Sequence, residues 1–182
     1  MEIILSLLSF GLLIWGIVIY NRLVRDKNRV LAAWSDIDVQ LKRRHDLIPK
    51  LVDAVKQYAN YEQATLSTII ELRKQSAHAD NVAAKGELEG VLGGNIDHLL
   101  ALAESYPELK ANQSFLELQN ELSDVENHIQ FSRRYYNGAV KNLNIRIDSF
   151  PDLLIARLFR FFPREFFEMP VSHKNHSQEG AP

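Results

Sequence analysis

The feature of this sequence that most restricts its fold is an apolar run near the N-terminus, residues 3–20, which contains no charged residue. A helix rises about 1.5 Å per residue, so this run would form a helix roughly 27 Å long. Since the hydrocarbon core of a bilayer is about 30 Å thick, such a run is typical of a membrane span. The residues that we assign to the membrane anchor are Ile3, Leu8, Trp15 and Tyr20.

The charges around the run separate a membrane anchor from a cleaved signal peptide and from a buried core helix. A signal peptide carries positive charge before its apolar segment and small residues after it. Here Glu2 precedes the run, basic residues follow it, and no cysteine is present for a lipoprotein anchor. A core helix of this length rarely lacks a polar face. We therefore expect an uncleaved anchor over residues 1–21, with Trp15 and Tyr20 toward its interface.

A basic flank follows the anchor and predicts its orientation. The flank consists of Arg22, Arg25, Lys27 and Arg29. Because basic residues beside a span stay on the cytoplasmic side, we expect the N-terminus outside and the rest of the chain in the cytoplasm. The same charges favour contact with anionic lipid headgroups.

Apolar residues recur at helical spacing after the anchor, which predicts an all-α protein. The first periodic stretch runs from Leu23 to Ile69 and contains Pro49, which either kinks or ends a helix because it removes a backbone hydrogen bond. No glycine, asparagine or serine at 45–50 provides a turn. We therefore expect one kinked helix that continues to about residue 77.

Two further helices are expected before residue 151. A shorter one lies near 83–105, with Leu88 on its apolar face, and is stopped by Pro107. The other has the cleanest periodicity in the chain, and such a seam predicts packing against antiparallel neighbours. The seam residues are Phe115, Leu118, Leu122, Val125, Ile129, Tyr136, Val140, Leu143, Ile147 and Phe150. The expected fold is a transmembrane helix followed by an antiparallel bundle over 22–168, with three long helices and a shorter C-terminal one.

The last apolar segment, residues 153–162, allows two interpretations. It is too short to span a bilayer, and Arg157, Arg160 and Arg164 lie within or beside it. It either packs on the bundle or lies on the membrane surface as an interfacial helix. Residues 169–182 are polar, and we expect them to be disordered.

No pattern in the sequence predicts an active site or a cofactor. The absence of cysteine excludes a thiol nucleophile and an iron–sulfur cluster. Helical bundles bind di-iron through Glu-x-x-His motifs, and none occurs here. His173 and His176 lie in the polar tail, and the net charge of −2 argues against a nucleic-acid binder. We expect no metal, cofactor, nucleic acid or small-molecule substrate, with an enzyme or metal-binding bundle as the alternative.

One helical stripe has the composition of a partner surface. Asn127, Phe131, Arg134 and Tyr135 lie on the side of the third helix away from its seam, and Gly138 continues the stripe. Aromatic residues beside an arginine are enriched at interface hot spots. The alternative is that residues 153–162 or another helix of the same chain cover this stripe.

Longer motifs resemble the bacterial LemA family. The first group comprises Tyr20-Asn21, Leu23, Ala33-Trp34, Ile37-Asp38-Val39-Gln40-Leu41-Lys42-Arg43-Arg44, Asp46-Leu47-Ile48-Pro49, Leu51-Val52, Tyr58-Ala59 and Glu62. The second group comprises Leu99-Leu100-Ala101, Glu104, Tyr106-Pro107, Leu109-Lys110-Ala111-Asn112, Phe115, Gln119, Leu122, Glu126-Asn127, Ile129, Arg133, Tyr136-Asn137, Asn144, Phe150-Pro151 and Phe166-Phe167-Glu168. The resemblance covers roughly residues 18–168. It departs at 78–98 and at Arg160, where the family commonly has a glycine.

The resemblance implies a bacterial inner-membrane protein with one N-terminal span and a cytoplasmic antiparallel bundle counted as four helices. It implies no established catalytic activity. Some members are associated with membrane remodelling or organelle formation, and others are encoded near membrane proteases. The shared polar residues Asp38, Arg44, Glu126 and Arg133 fit internal hydrogen bonds as well as they fit a function. We therefore expect a scaffold or adaptor that contacts the lipid bilayer and a membrane or cytoplasmic protein, or a second copy of itself.

Overall fold

The computed structural model describes residues 1–58 and 63–169, and helices account for most of them. In chain order the helices are α1 (Glu2–Lys56), α2 (Gln63–Ala77), α3 (Val82–Ala103), α4 (Pro107–Lys110), α5 (Gln113–Asp148) and α6 (Asp152–Leu158). No strand occurs within the described ranges. The predicted all-α class is confirmed.

The chain divides into two compact units, and α1 and α5 each contribute to both. Unit 1 consists of Met1–Lys42 and Val125–Phe166. Unit 2 consists of Arg43–Asp124 and a C-terminal segment that begins at Phe167, of which the structure describes residues 167–169. The sequence predicted one bundle over 22–168 and gave no sign of this division.

In unit 1, α1 and α5 run antiparallel. The Trp34 and Tyr136 rings lie 5.5 Å apart, and Asp26 pairs with Arg146, so the numbering rises along one helix as it falls along the other. The buried side chains from the two helices include Leu23, Val30, Ile37, Leu41, Ile129, Val140, Leu143 and Ile147. The predicted seam of α5 is confirmed for these members. Phe150 is the exception, since α5 ends at Asp148 and leaves this ring exposed.

In unit 2, the end of α1 packs with α2, α3, α4 and the start of α5. Its core includes Ile48, Leu51, Val55, Leu66, Ile69, Leu92, Ile96, Leu99, Leu109 and Phe115. Side-chain oxygens cap two of these helices. Asn81 accepts a hydrogen bond from the Ala84 amide at the start of α3, and Asn112 accepts one from the Phe115 amide at the start of α5.

The prediction of one helix reaching residue 77 is wrong. Helix α1 passes through Pro49 and ends at Lys56, and α2 is a separate helix from Gln63 to Ala77. The amide of Tyr58 bonds the carbonyl of Val55, which tightens the chain into a turn as α1 ends. The buried Leu66 and Ile69 keep the predicted apolar spacing on the new helix. Apolar spacing that continues across two helices therefore did not reveal the break between them.

Helix α3 confirms the helix expected near 83–105, but its buried face is rotated. Leu88 was expected in the core and is half-buried, whereas Glu89 has no exposed surface. Gly86 lies on the same buried face, where a Cβ would overlap the carbonyl oxygen of Glu168. Because glycine has no Cβ, the backbone of Glu168 can contact α3 directly at Gly86.

The tail lies almost wholly outside the described residues. The disorder expected for 169–182 concerns a segment of which the structure describes Met169 alone. His173 and His176 are in the part that it does not describe.

Candidate functional site

The anchor residues form the first third of α1. Within the described residues, α1 is the one helix long and apolar enough to cross a membrane. Its apolar window is almost entirely uncovered by the rest of the chain. Ile3, Leu8, Trp15 and Tyr20 are exposed. A single candidate membrane span near the N-terminus is thus present, as predicted.

The basic flank continues α1 beyond the candidate span. Arg22, Arg25, Lys27 and Arg29 are all exposed. Arg29 lies 3.5 Å from the Asp26 carboxylate. Exposed basic side chains can interact with lipid headgroups.

Asp26 begins an ion-pair chain that links three elements of unit 1. Its carboxylate accepts a hydrogen bond from Arg146 Nε at 2.6 Å. A second nitrogen of Arg146 donates to Asp152 at 3.1 Å. The hydrogen bond that Arg146 donates to Asp26 contributes most to raising the pKa of Arg146, so the guanidinium stays charged. This chain joins α1 and the last turn of α5 to the first residue of α6.

The aromatic stripe on α5 is uncovered. Asn127, Phe131, Arg134 and Tyr135 are exposed, and the Phe131 and Tyr135 side chains are 66% and 55% accessible. No atom lies within 4 Å of the position that a Cβ on Gly138 would occupy. The described part of the chain therefore does not cover the stripe with residues 153–162.

A buried polar cluster in unit 2 brings three side chains together around one carboxylate. Glu89 on α3 receives Arg44 Nη1 at 2.9 Å and His45 Nε2 at 2.6 Å. The Ser76 hydroxyl of α2 also donates to it. A carboxylate only accepts hydrogen bonds, so the imidazole nitrogen that faces Glu89 carries the proton. Arg73 of α2 donates to the His45 carbonyl at 2.7 Å, which fixes the same turn of α1.

The electrostatics of this cluster favour an ionised Glu89. Burial by itself raises the pKa of the Glu89 carboxyl. The His45 hydrogen bond, the Arg44 charge and the Ser76 hydroxyl act in the opposite direction and outweigh it, so the pKa lies below its usual value. Because Glu89 and Ser76 have no exposed surface, the cluster contacts no solute in this conformation. Its evident role is to fix α1, α2 and α3 against one another.

Sequence reasoning missed this cluster, apart from Arg44, which it named as a possible internal hydrogen-bond partner. Arg44 and Glu89 are 45 residues apart, and no local spacing connects them. Two other shared polar residues also have internal partners. Glu126 accepts from Gln130 at 3.0 Å, and Arg133 donates to Gln130 at 2.8 Å.

The remaining features carry no evident chemistry. An open groove of about 360 Å³ in unit 2 is lined by Lys50, Gln57, Glu117 and Glu121 among others. Within residues 1–58 and 63–169, no three histidine, aspartate or glutamate side chains form a group suited to a metal ion.

Comparison with known proteins gives a consistent result across most of the chain. The model of the LemA family matches residues 33–178. A Protein LemA of Metamycoplasma hominis is 30% identical over 153 residues, which cover 81% of this chain and 68% of that protein. Magnetosome protein MamQ of Magnetospirillum gryphiswaldense is 24% identical over 174 residues, covering 81% of this chain and 64% of that protein. Magnetosome protein MamQ 2 of Paramagnetospirillum magneticum is 23% identical, also with 64% of its length covered.

Proposed function

This chain belongs to the LemA family, and from that premise we propose that it is a membrane-anchored, non-catalytic scaffold. Its N-terminal helix spans the inner membrane with the N-terminus outside. The helices after the basic flank lie in the cytoplasm and bind a protein partner. The partner surface is the stripe Asn127, Phe131, Arg134 and Tyr135.

The observation that carries this proposal is the contrast between the two faces of α5 in unit 1. Ile129 and Val140 are fully buried, while Phe131 and Tyr135 are mostly exposed. Exposed aromatic rings beside an arginine have the composition of a protein interface. Leaving two such rings in water on a long, regular helix is unfavourable unless another molecule covers them.

A scaffold rather than an enzyme is supported by the location of the polar groups. The most concentrated polar cluster, around Glu89, has no exposed carboxylate for a substrate to reach. Two relatives carry the name magnetosome protein. We propose for this chain only that it is a component of a larger membrane assembly.

The partner surface is tested by replacing Phe131 and Tyr135 together with alanine in the full chain. The double variant should melt like the parent, because neither ring is buried. A photo-crosslinking amino acid at Asn127 should form an adduct in membranes of the source organism, and the double variant should lose that adduct. The adduct's mass distinguishes a second copy of the chain from another protein.

Leu31 and Val39 on α1 supply the matched control, since both are exposed apolar residues of unit 1. Their double alanine variant should keep the Asn127 adduct. A strong fall in melting temperature for Phe131→Ala with Tyr135→Ala would mean that the rings are covered by the chain itself. That result would withdraw the surface.

The orientation is tested separately with a reporter fused after Pro182. The positive-inside rule predicts that a reporter requiring the cytoplasm is active and that a reporter requiring the periplasm is inactive. Replacing Arg22, Arg25, Lys27 and Arg29 with glutamine should weaken this preference. An active periplasmic reporter on the parent chain would overturn the orientation.

A further inference from the structure

Residues 150–162 of unit 1 expose an unusual concentration of apolar side chains. Leu158 and Phe162 are 72% and 70% accessible. Phe150, Leu154 and Phe159 are exposed as well. A soluble surface seldom gathers so many large apolar groups in one short segment, and such a patch marks a contact with another molecule or a membrane.

The same segment is held against the cytoplasmic end of the predicted span. Ile155 Cδ1 lies 3.7 Å from the position of a Cβ on Gly16. The Phe159 and Phe161 rings lie 4.8 Å and 5.9 Å from the Tyr20 ring. Since Gly16 and Tyr20 both belong to the apolar run, residues 155–161 lie beside the end of the predicted span.

Residues 150–162 approach Gly16 and Tyr20 of the predicted span and turn away from them again within a few residues. It begins beside the Asp26–Arg146 pair, where Arg146 also binds Asp152. It ends beside α5, where Asn144 exchanges two hydrogen bonds with the backbone of Arg164 at 2.8 and 2.9 Å. Farther along, the Tyr136 hydroxyl donates to the Glu165 carbonyl at 2.9 Å. The contact of Ile155 with Gly16 is thus the one nearest to the membrane interior. Both ends of residues 150–162 lie beside polar residues of α1 and α5.

We infer that residues 150–162 form a second membrane-contacting element, which lies in the interfacial layer of the leaflet where the N-terminal span emerges. The occupant of the exposed apolar patch is lipid. Leu154, Leu158 and Phe162 contact acyl chains, while Arg157 and Arg160 extend their charged ends to the headgroups.

Continuity with the predicted span favours lipid over a protein partner. A helix that places Ile155 beside Gly16 has its exposed side chains at the level of the bilayer surface. Tyr20, Phe159 and Phe161 together form an aromatic group of the kind that gathers at membrane interfaces. Arginines interspersed among these side chains match the negative charge of lipid headgroups.

The absence of native cysteine allows a direct test in the full chain. Leu158→Cys and Phe162→Cys are each labelled with an environment-sensitive fluorophore and reconstituted into vesicles of mixed zwitterionic and anionic lipid. A nitroxide quencher is attached to the lipid acyl chains about 5–10 Å below the headgroup boundary, where an interfacial helix lies. Iodide in the buffer serves as the aqueous quencher.

Two positions calibrate the measurement, because their native side chains are exposed. Leu8→Cys reports on the span, and Val39→Cys reports on an exposed position of α1 outside the proposed partner surface. We expect the lipid nitroxide to quench the labels at residues 158 and 162 nearly as strongly as the label at residue 8. Iodide should quench the label at residue 39 several-fold more than the labels at 158 and 162.

The inference rests on the anchoring part of the proposed function, and the controls separate the two. If the label at residue 8 escapes the lipid quencher, the anchor itself is wrong. If that label is quenched while those at 158 and 162 respond to iodide, residues 150–162 lie in water and the inference is overturned. Protection of 158 and 162 from both quenchers would place them against protein, which overturns it equally.

Discussion

The two units place their polar and apolar side chains in opposite ways. Unit 2 buries Arg44, His45, Ser76 and Glu89, and its exposed large apolar residues among those described are only Ile70, Val91 and Leu116. Unit 1 buries one charged residue, Asp26, in its described part. It exposes the aromatic stripe on α5 and the patch at 150–162.

Under the proposed function, this difference assigns the contacts with other molecules to unit 1. Buried charges that bind one another fix the arrangement of helices but offer nothing to a partner. Exposed apolar side chains contribute little to the stability of the isolated chain and become favourable when another surface covers them. Variants in the polar cluster of unit 2 should therefore change stability, whereas variants on the exposed surfaces of unit 1 should change contacts.

The largest expected effect is at Arg44. Arg44→Met leaves the Glu89 carboxylate buried with a weaker set of donors, which costs about 3–5 kcal/mol. Arg43 is the matched control, because it is the preceding residue and pairs with Asp124 across a half-exposed surface at 3.3 Å. Arg43→Met should cost less than about 1 kcal/mol.

Thermal and chemical unfolding followed by circular dichroism in detergent measures both changes. Equal losses for Arg43→Met and Arg44→Met would contradict the assignment of the cluster as the polar centre of unit 2. A loss confined to Arg44→Met would support it.

The next effect is the dependence of stability on pH. Because the folded-state pKa of Glu89 lies below its usual value, its ionised carboxylate adds stability above the unfolded-state pKa of about 4.3. That contribution is lost as the pH falls through the folded-state pKa. Glu89→Gln should cost about 1.5–3 kcal/mol at neutral pH, since it replaces hydrogen bonds to a charged group.

The same variant should have a flatter stability profile below pH 5 than the parent chain. Glu87→Gln, at an exposed position two residues earlier on α3, should follow the parent profile. Unfolding free energies measured over the acid range decide the question. If Glu89→Gln loses stability with acid as steeply as the parent, another group controls this range.

The contrast between units also explains what the sequence could predict. The anchor and the α5 seam each depend on composition and spacing within a single helix, so both can be predicted from residues that are close in sequence. The same periodicity placed Phe131 and Tyr135 away from the seam, but it left open whether another part of the chain covers them. These are the parts of unit 1 on which the proposed function rests.

The Glu89 cluster could not be predicted, because its residues come from three distant parts of the chain. His45 and Glu89 are 44 residues apart. A glutamate next to the apolar Leu88 gave no reason to place Glu89, instead of Leu88, on the buried face of α3. The end of α1 at Lys56 was also missed, since the apolar spacing continues from α1 into α2. Arg160 has a φ of 56°, a conformation that favours glycine, which fits the glycine that the family commonly has there.

A smaller loss is expected at Gly86, where unit 2 brings two backbone segments together. Gly86→Ala places a Cβ against the carbonyl oxygen of Glu168. The amide nitrogen of Glu168 would also lie only 3.2 Å from this Cβ. Backbone atoms move less readily than the end of a side chain, so we expect a loss of about 1–3 kcal/mol. An unchanged melting temperature would mean that residues 167–169 do not pack on α3.

The smallest effect has the opposite sign and lies on the stripe of unit 1. Gly138 is inside α5, and an added Cβ meets no atom within 4 Å. Gly138→Ala should therefore stabilise the chain by about 0.5–1 kcal/mol, because alanine loses less backbone freedom in a helix. If a partner backbone approaches α5 at this position, the added methyl group should also weaken the crosslink formed from Asn127. A gain in stability together with a loss of crosslinking places the partner beside Gly138. A fall in stability would mean that the chain itself covers this face of α5. The proposed distinction, in which unit 2 supports the fold and unit 1 binds a partner, would then be wrong for this surface.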